Sequence, residues 1–190
     1  MTTGPTEGKC ANPAGGPGGM PLALRLSEGL GVTLGDPMLS AATLSLCRRY
    51  RYNLWRGWGE SESYVMFVGL NPSTADETAD DPTIRRCVAY SKSWGYSRLC
   101  MTNLFAYRAT QPADMMAAAD PVGPANNVWL RELAKGAAVV VAAWGVHGIF
   151  RGRHSAVRDL LPGLHYLQLT KDGHPGHPLY LPKTLRPVAW

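Results

Sequence analysis

Polar and aromatic side chains gather at four points of the sequence where an apolar run ends. These points are residues 69–74, 103–108, 144–147 and 170–180. Asn71 and Asn103 each offer amide donors and an acceptor, which suit the edge of a nucleobase. Histidine and lysine in the last segment can supply positive charge to a phosphate or to a developing anion. A carboxylate or amide can hold a water, and aromatic rings can stack on a base. These residue types together indicate a site that binds or excises a base.

The candidate site residues come from all four segments. The first contributes Gly69, Leu70, Asn71, Pro72, Ser73, Thr74, Asp76 and Glu77, and the second Asn103, Phe105, Tyr107 and Arg108. The third contributes Trp144, Gly145 and His147, and the fourth Lys171, Asp172, His174 and His177. No cysteine or histidine spacing indicates a metal site, and no cofactor is expected.

Simpler interpretations stay open for the individual residues. Asparagine before proline is a common turn opener, so Asn71 could serve a turn alone, and Asn103 could cap one. His147 and His154 fit ordinary surface positions better than ligand positions. Arg85 and Arg86 fit a solvated helix face or pairing with the nearby Asp80 and Asp81.

The elements that must position these residues alternate between strands and helices. Short apolar runs predict strands over residues 64–70, 99–104, 137–144 and 164–170. Asp81 and Pro82 predict a helix start, with a stop at Gly95, and further helices are predicted over 124–136 and 154–161. Such alternation predicts a parallel sheet covered by helices on both faces, with ligands beyond the carboxyl ends of its strands. Residues 39–59 fit a helix that ends at Gly57, or a helix followed by a short strand.

Bulk composition indicates one globular domain. With 45% hydrophobic and 17% charged residues, the chain can bury a core. We expect residues 1–20 to form a flexible tail rich in glycine and proline, and residues 21–190 one α/β domain. The longest apolar run, 137–144, is far below the ~20 residues of a membrane span, so we expect a soluble, cytoplasmic monomer. A net charge of +5 favours a polyanionic partner, and the four scattered cysteines are expected to be mostly reduced and buried.

The motifs of this chain are similar to those of a family of bacterial and phage proteins known as a domain of unknown function. The stretches that carry the similarity are "GLNPSTAD", "DDPTIRR", "NLFAYRAT" and "HPLYL", and it covers roughly residues 50–181. In outline, the chain also resembles the uracil-DNA glycosylase superfamily. "GLNPS" resembles its first Gly-x-x-Pro motif, "MTNLFAYR" the segment whose Asn reads uracil, "VVVAAWG" the next strand, and "HPGHPLYL" the closing His-Pro motif.

The glycosylase resemblance implies a three-layer αβα fold around a four-stranded, mainly parallel sheet. It also implies a DNA glycosylase that hydrolyses the N-glycosidic bond of uracil or a related deaminated base. By position, Asn71 would orient the attacking water, Asn103 would read the base, and His174 or His177 would stabilise the departing base. Phe105 or Tyr107 would stack on it.

One departure matters for the chemistry. Asn71 stands where other branches carry Asp, and an amide is no general base, so a carboxylate such as Asp76, Glu77 or Asp81 would have to help. The chain also lacks the usual serine after His-Pro. Two other hypotheses therefore stay open: a nucleotide- or nucleic-acid-binding module of the same fold without catalysis, and a metal-dependent enzyme that acts on a small nucleotide.

Overall fold

A computed structural model describes residues 39–73, 75 and 79–190. The expected tail at residues 1–20 lies outside them. A seven-stranded sheet has the order β1-β2-β4-β3-β5-β6-β7. Its strands are β1 (Ser40–Leu44), β2 (Arg51–Gly57), β3 (Tyr64–Gly69), β4 (Arg98–Asn103), β5 (Val139–Ala142), β6 (His165–Tyr166) and β7 (Val188–Ala189). The helices are α1 (Pro82–Ser93), α2 (Pro112–Ala117), α3 (Asn126–Gly136) and α4 (Arg153–Leu160), with 3₁₀ segments at Val146–Gly152 and Pro178–Tyr180.

The sheet is mixed, which confirms the α/β class and corrects the predicted size. β4, β3, β5 and β6 are joined by parallel pairings. Antiparallel pairings add β1 and β2 beyond β4, and β7 beyond β6. The sheet thus has seven strands instead of four. The fourth predicted strand shrinks to His165–Tyr166, because only two of its residues pair with β5.

Residues 39–59 contain β1 and β2, so the helix in both expected alternatives is wrong, and only the short strand of the second alternative has a counterpart, in β2. Arginines interspersed with apolar residues are typical of an amphipathic helix that exposes its arginines, yet Arg51 and Arg56 are buried in the sheet. Arg56 is neutralised by Asp80, with Nε 2.8 Å from Oδ1. A buried charge with a partner can sit in a central strand, and the sequence pattern alone does not reveal the partner.

Two hydrophobic clusters occupy the opposite faces of the sheet. Along β3, Phe67 packs with Ile84 of α1 on one face. Val68 packs with Leu130 of α3 and Val157 of α4 on the other. This alternation is the two-residue period of a strand covered on both sides.

The helix predicted after the first strand is confirmed at its start. Asp81 is the N-cap of α1, and its side chain accepts a hydrogen bond from the Ile84 N–H at 2.8 Å. Pro82 stands at the first helical position, where its missing N–H costs nothing. Because α1 begins just beyond β3, its first turn lies at the carboxyl edge of the parallel strands.

The cysteines differ in part from the expectation. Cys87 and Cys100 are buried free thiols, and burial raises the pKa of both. Cys47, however, is disulfide-bonded, so it is an exception to the expected reduced state of most cysteines. Cys10 lies outside the described residues. None of the helices in the described part of the chain has the length and apolar character of a membrane-spanning segment.

Candidate active site

A cavity of about 670 Å³ lies at the carboxyl edge of β3, β4 and β5. Nine of the candidate site residues from the four segments line it: Gly69, Leu70, Asn71, Ser73, Asn103, Trp144, Gly145, His147 and His177. The β3–β4 register places Gly69 directly beside Asn103. Gly145, at φ 69°, makes the turn after β5, and its N–H donates to the Pro175 carbonyl at 2.9 Å. This bond holds the last candidate segment against the strand ends.

Asn103 is the most exceptional side chain of the cavity. It is 1% exposed, and neither its Nδ2 nor its Oδ1 has a hydrogen-bond partner among the described residues. A buried amide without partners costs about 1–3 kcal/mol of stability. The absence of a side chain at Gly69 makes room for it, since a Cβ there would lie 2.9 Å from Asn103 Oδ1. The fold therefore maintains an unsatisfied amide that lines an open cavity.

Two buried side chains fix the backbone at this point. Asn126 Nδ2 donates to the carbonyls of Asn103 and Leu104, at 3.1 and 2.9 Å. Arg153 Nε also donates to Leu104, at 2.8 Å, and its Nη2 donates to Asn127 Oδ1 at 2.6 Å. Burial lowers the pKa of Arg153 to about 10. The Asn103 side chain is thus presented from an anchored strand end.

Asn71 is used differently, although it lines the same cavity. Its Nδ2 donates to the Ala109 carbonyl at 2.7 Å and to the Pro72 carbonyl at 3.1 Å. The Ala109 N–H donates back to Pro72 at 2.9 Å. The amide hydrogens of Asn71 therefore hold the loop after β3 against the loop after β4. Its Oδ1 receives no hydrogen bond from the described residues, so it is the atom available to a ligand.

Of the two histidines that line the cavity, His147 is exposed and His177 is partly buried. The Nδ1 of His177 accepts from the Leu179 N–H at 3.4 Å, which in the neutral ring leaves the hydrogen on Nε2. Burial lowers the pKa of His177, and the negative charge of Asp81 partly opposes this shift. A neutral imidazole is therefore the favoured form at neutral pH, and its Nε2–H donates to no acceptor within the described part of the chain.

The family model described as "Protein of unknown function (DUF1643)" matches residues 51–179. The chain belongs to this family. The expected membership of an uncharacterised family is thereby confirmed, and the resemblance to glycosylases stays a prediction. Searches of curated proteins and of solved structures found no match to the chain. The DUF1643 match includes Asn71, Asn103 and His177.

Several predicted site residues of this DUF1643 domain do not line the cavity. Phe105 is buried against Phe150, with ring centroids 5.7 Å apart, and Tyr107 packs on Tyr50 at 5.9 Å. Arg108 donates to the Arg48 carbonyl at 3.3 Å. The other described candidates that do not line the cavity are Pro72, Lys171, Asp172 and His174.

His174 contacts another histidine instead of lining the cavity. Its ring packs edge-on against His154, with centroids 6.1 Å apart. Of the two His-Pro candidates, only the one that begins at His177 therefore reaches the cavity. Asp76 and Glu77, the carboxylates predicted beside Asn71, lie outside the described residues.

Arg51 is the lining residue that the sequence least revealed. In the β1–β2 register, Thr43 pairs with Asn53 and Leu44 with Arg51, so Tyr52 is an extra residue. Such a bulge can turn the next side chain towards the opposite face. The guanidinium of Arg51 is 2% exposed, lines the cavity, and donates to the Ala75 carbonyl. The pattern of apolar and polar residues does not show where a single-residue bulge occurs, so the position of Arg51 could not be predicted from the sequence.

Further lining residues that were not predicted as substrate contacts come from the start of α1, the loop after β4 and the last 3₁₀ segment. Asp81 is the N-cap of α1, Thr83 lies in its first turn, and Thr110 lies in the loop after β4. Tyr180 is 84% exposed at the mouth, and its ring centroid is 5.5 Å from that of His177. Within the described residues, no group of three or more His, Cys, Asp or Glu side chains could hold a metal ion.

Proposed function

We propose that this DUF1643 domain is a DNA glycosylase that hydrolyses the N-glycosidic bond of uracil, or of a related deaminated base, in base-excision repair. The observation that carries the proposal is the buried, unpartnered amide of Asn103 in the cavity. The Nδ2 donor and Oδ1 acceptor of Asn103 complement the O4 acceptor and N3–H donor of uracil. Glycosylases flip the target base from the stack and read it through such edge contacts.

The other cavity groups have matching roles in this reaction. The free Oδ1 of Asn71 can accept a hydrogen bond from the attacking water. The Nε2–H of neutral His177 can donate to an oxygen of the departing base, where negative charge develops. Trp144 lines the same cavity and can contact the face of the base.

The fold supports the same proposal. Helices lie on both faces of the parallel part of the sheet, which fits the three-layer arrangement that the glycosylase resemblance implies. The candidate residues converge at the carboxyl edge of these strands, where ligands bind in such sheets.

The test is base release from single- and double-stranded oligonucleotides that carry uracil, hypoxanthine or xanthine. Alkali then cleaves any abasic strand, and each reaction is run with and without EDTA. We expect release of at least one base in both conditions. Release that EDTA abolishes would favour a metal-dependent enzyme instead. No release from any substrate would contradict the proposal.

A second candidate is a base-binding module without catalysis. The observation that favours it is the use of both Asn71 amide hydrogens by protein carbonyls, which leaves this residue only an acceptor. Salt-dependent binding of uracil-containing DNA without base release would identify the binding module. In that case Asn103→Ala should weaken the preference for uracil over cytosine, whose edge presents the opposite donor and acceptor.

A further inference from the structure

We propose that Asp81 is the carboxylate that orients and deprotonates the attacking water, in addition to capping α1. The inference rests on the proposed function and deepens it, because it assigns the base that Asn71 cannot be. Among the described residues that line the cavity, Asp81 is the one acid.

The hydrogen bonds of Asp81 allow it to cap α1 with one oxygen and to contact the water with the other. Its Oδ1 accepts from the Ile84 N–H at 2.8 Å, which fixes the rotamer and the orientation of the carboxylate. Its Oδ2 accepts no hydrogen bond from the described residues. One oxygen of the carboxylate is thus held by the helix while the other is available in the cavity, as a preorganised catalytic group requires.

The negative charge of Asp81 also interacts electrostatically with His177, the group proposed to stabilise the departing base. It opposes the burial effect on His177, so the two side chains act on each other across the cavity. Asp81 and the Oδ1 of Asn71 can each accept one hydrogen of a single water. The amide then positions that water, and the carboxylate takes its proton.

The reaction balances with these groups alone. The water oxygen bonds to C1′ of the sugar as the C1′–N bond breaks, and the electron pair of that bond leaves with the base. The water proton passes to Asp81. His177 donates a hydrogen bond to the base anion, which is protonated from solvent, and Asp81 then returns its proton to solvent. The negative charge of Asp81 also stabilises positive charge that develops on the sugar.

Asp80 offers a matched control in the same stretch of chain. Its carboxylate pairs with Arg56 at 2.8 Å and does not line the cavity. Removing the charge at Asp80 therefore removes a neighbouring negative charge of the same kind without touching the proposed water.

The experiment measures base release and denaturant unfolding for Asp81→Asn, Asp81→Glu and Asp80→Asn. Asparagine caps helices as well as aspartate, so Asp81→Asn should keep the unfolding midpoint while kcat falls by about 100-fold or more and KM changes little. Glutamate keeps the charge but caps poorly, so Asp81→Glu should lower the midpoint and retain more activity than Asp81→Asn. Asp80→Asn should lower the midpoint, because it removes the carboxylate that pairs with the buried Arg56, and should keep kcat.

The outcomes separate this inference from the proposed function. An active wild-type chain whose kcat survives Asp81→Asn would overturn the role of Asp81 and leave the glycosylase proposal standing. Equal losses of kcat in Asp80→Asn and Asp81→Asn would also overturn it, because they would indicate a general charge effect. A wild-type chain that releases no base overturns both.

Discussion

The loop after β3 and the end of β4 each bring one asparagine to the same cavity, and the protein uses the two amides in opposite ways. Asn71 donates both hydrogens to carbonyls of neighbouring loops. Asn103 is more deeply buried and has no partner among the described residues. An amide that satisfies itself within the protein stabilises the fold, whereas one kept unsatisfied beside a cavity is available to a ligand. The same residue type thus has a mainly structural role in one region and a binding role in the other.

The largest effect should come from Asn103→Ala. The substitution removes the Nδ2 donor and the Oδ1 acceptor that are proposed to bind the base, so kcat/KM for base release should fall by about 100-fold or more. The free energy of unfolding should not fall and should rise by up to about 1–3 kcal/mol, because the substitution removes a buried amide that has no hydrogen-bond partner among the described residues. Steady-state kinetics and urea unfolding of the same preparation measure both quantities. A loss of stability in Asn103→Ala as large as the loss expected for Asn71→Ala would contradict the contrast between the two asparagines.

Gly69→Ala tests the space that the structure keeps for the Asn103 amide. The added Cβ would lie 2.6 Å from Met101 Cε and 2.9 Å from Asn103 Oδ1. The flexible methionine can move, but the amide must shift, and we expect about a 10-fold loss of kcat/KM in a folded protein. Wild-type kinetics in this variant would mean that Asn103 needs no fixed orientation.

Asn71→Ala should lower the stability of the fold, whereas Asn103→Ala should not. It removes two hydrogen bonds and leaves the Ala109 carbonyl without the donor at 2.7 Å, so we expect destabilisation of about 2 kcal/mol. Urea unfolding at neutral pH checks the size of this loss. A stability equal to wild type would show that the two loops do not depend on this amide.

The smallest effect concerns the pH dependence of stability at His177. Its pKa is lowered in the folded chain, so below about pH 6.5 the unfolded chain binds the proton more readily. Its contribution to stability is therefore complete above about pH 6.5 and is lost as the pH falls through the folded pKa. In urea midpoints between pH 5 and 7, His177→Gln should remove this part of the slope. His174→Gln, whose ring lies outside the cavity, is the control and should retain it.

The sequence predicted the parts of the fold that depend on local rules. Asp81 and Pro82 marked the start of α1, and Val65 to Gly69 read as a buried strand because its residues are apolar on both faces. It left a strand in the region of β2 undecided and did not predict β1, because the pairing of Arg56 with Asp80, 24 residues away, is not visible in the sequence pattern. The last predicted parallel strand likewise has only two residues, because only His165 and Tyr166 pair with β5.

The candidate site was predictable where strand ends alone determine position. Asn71, Asn103 and His177 follow strands or lie in the closing motif, and all line the cavity. Phe105 and Tyr107 could not be placed, because which way a side chain turns after a strand depends on packing against Phe150 and Tyr50. Arg51 depends on a bulge, which is a property of strand pairing and not of composition.

The most direct test follows the two side-chain amides in ¹⁵N-labelled protein as uracil is added. The Asn103 and Asn71 resonances can be assigned from the spectra of Asn103→Ala and Asn71→Ala. We predict that the Asn103 amide shifts with uracil but not with 3-methyluracil, whose edge is blocked, while the Asn71 amide stays held by its carbonyls. A shift of Asn71 with Asn103 unchanged, or the same response to both compounds, would contradict the assignment of Asn103 as the residue that reads the base.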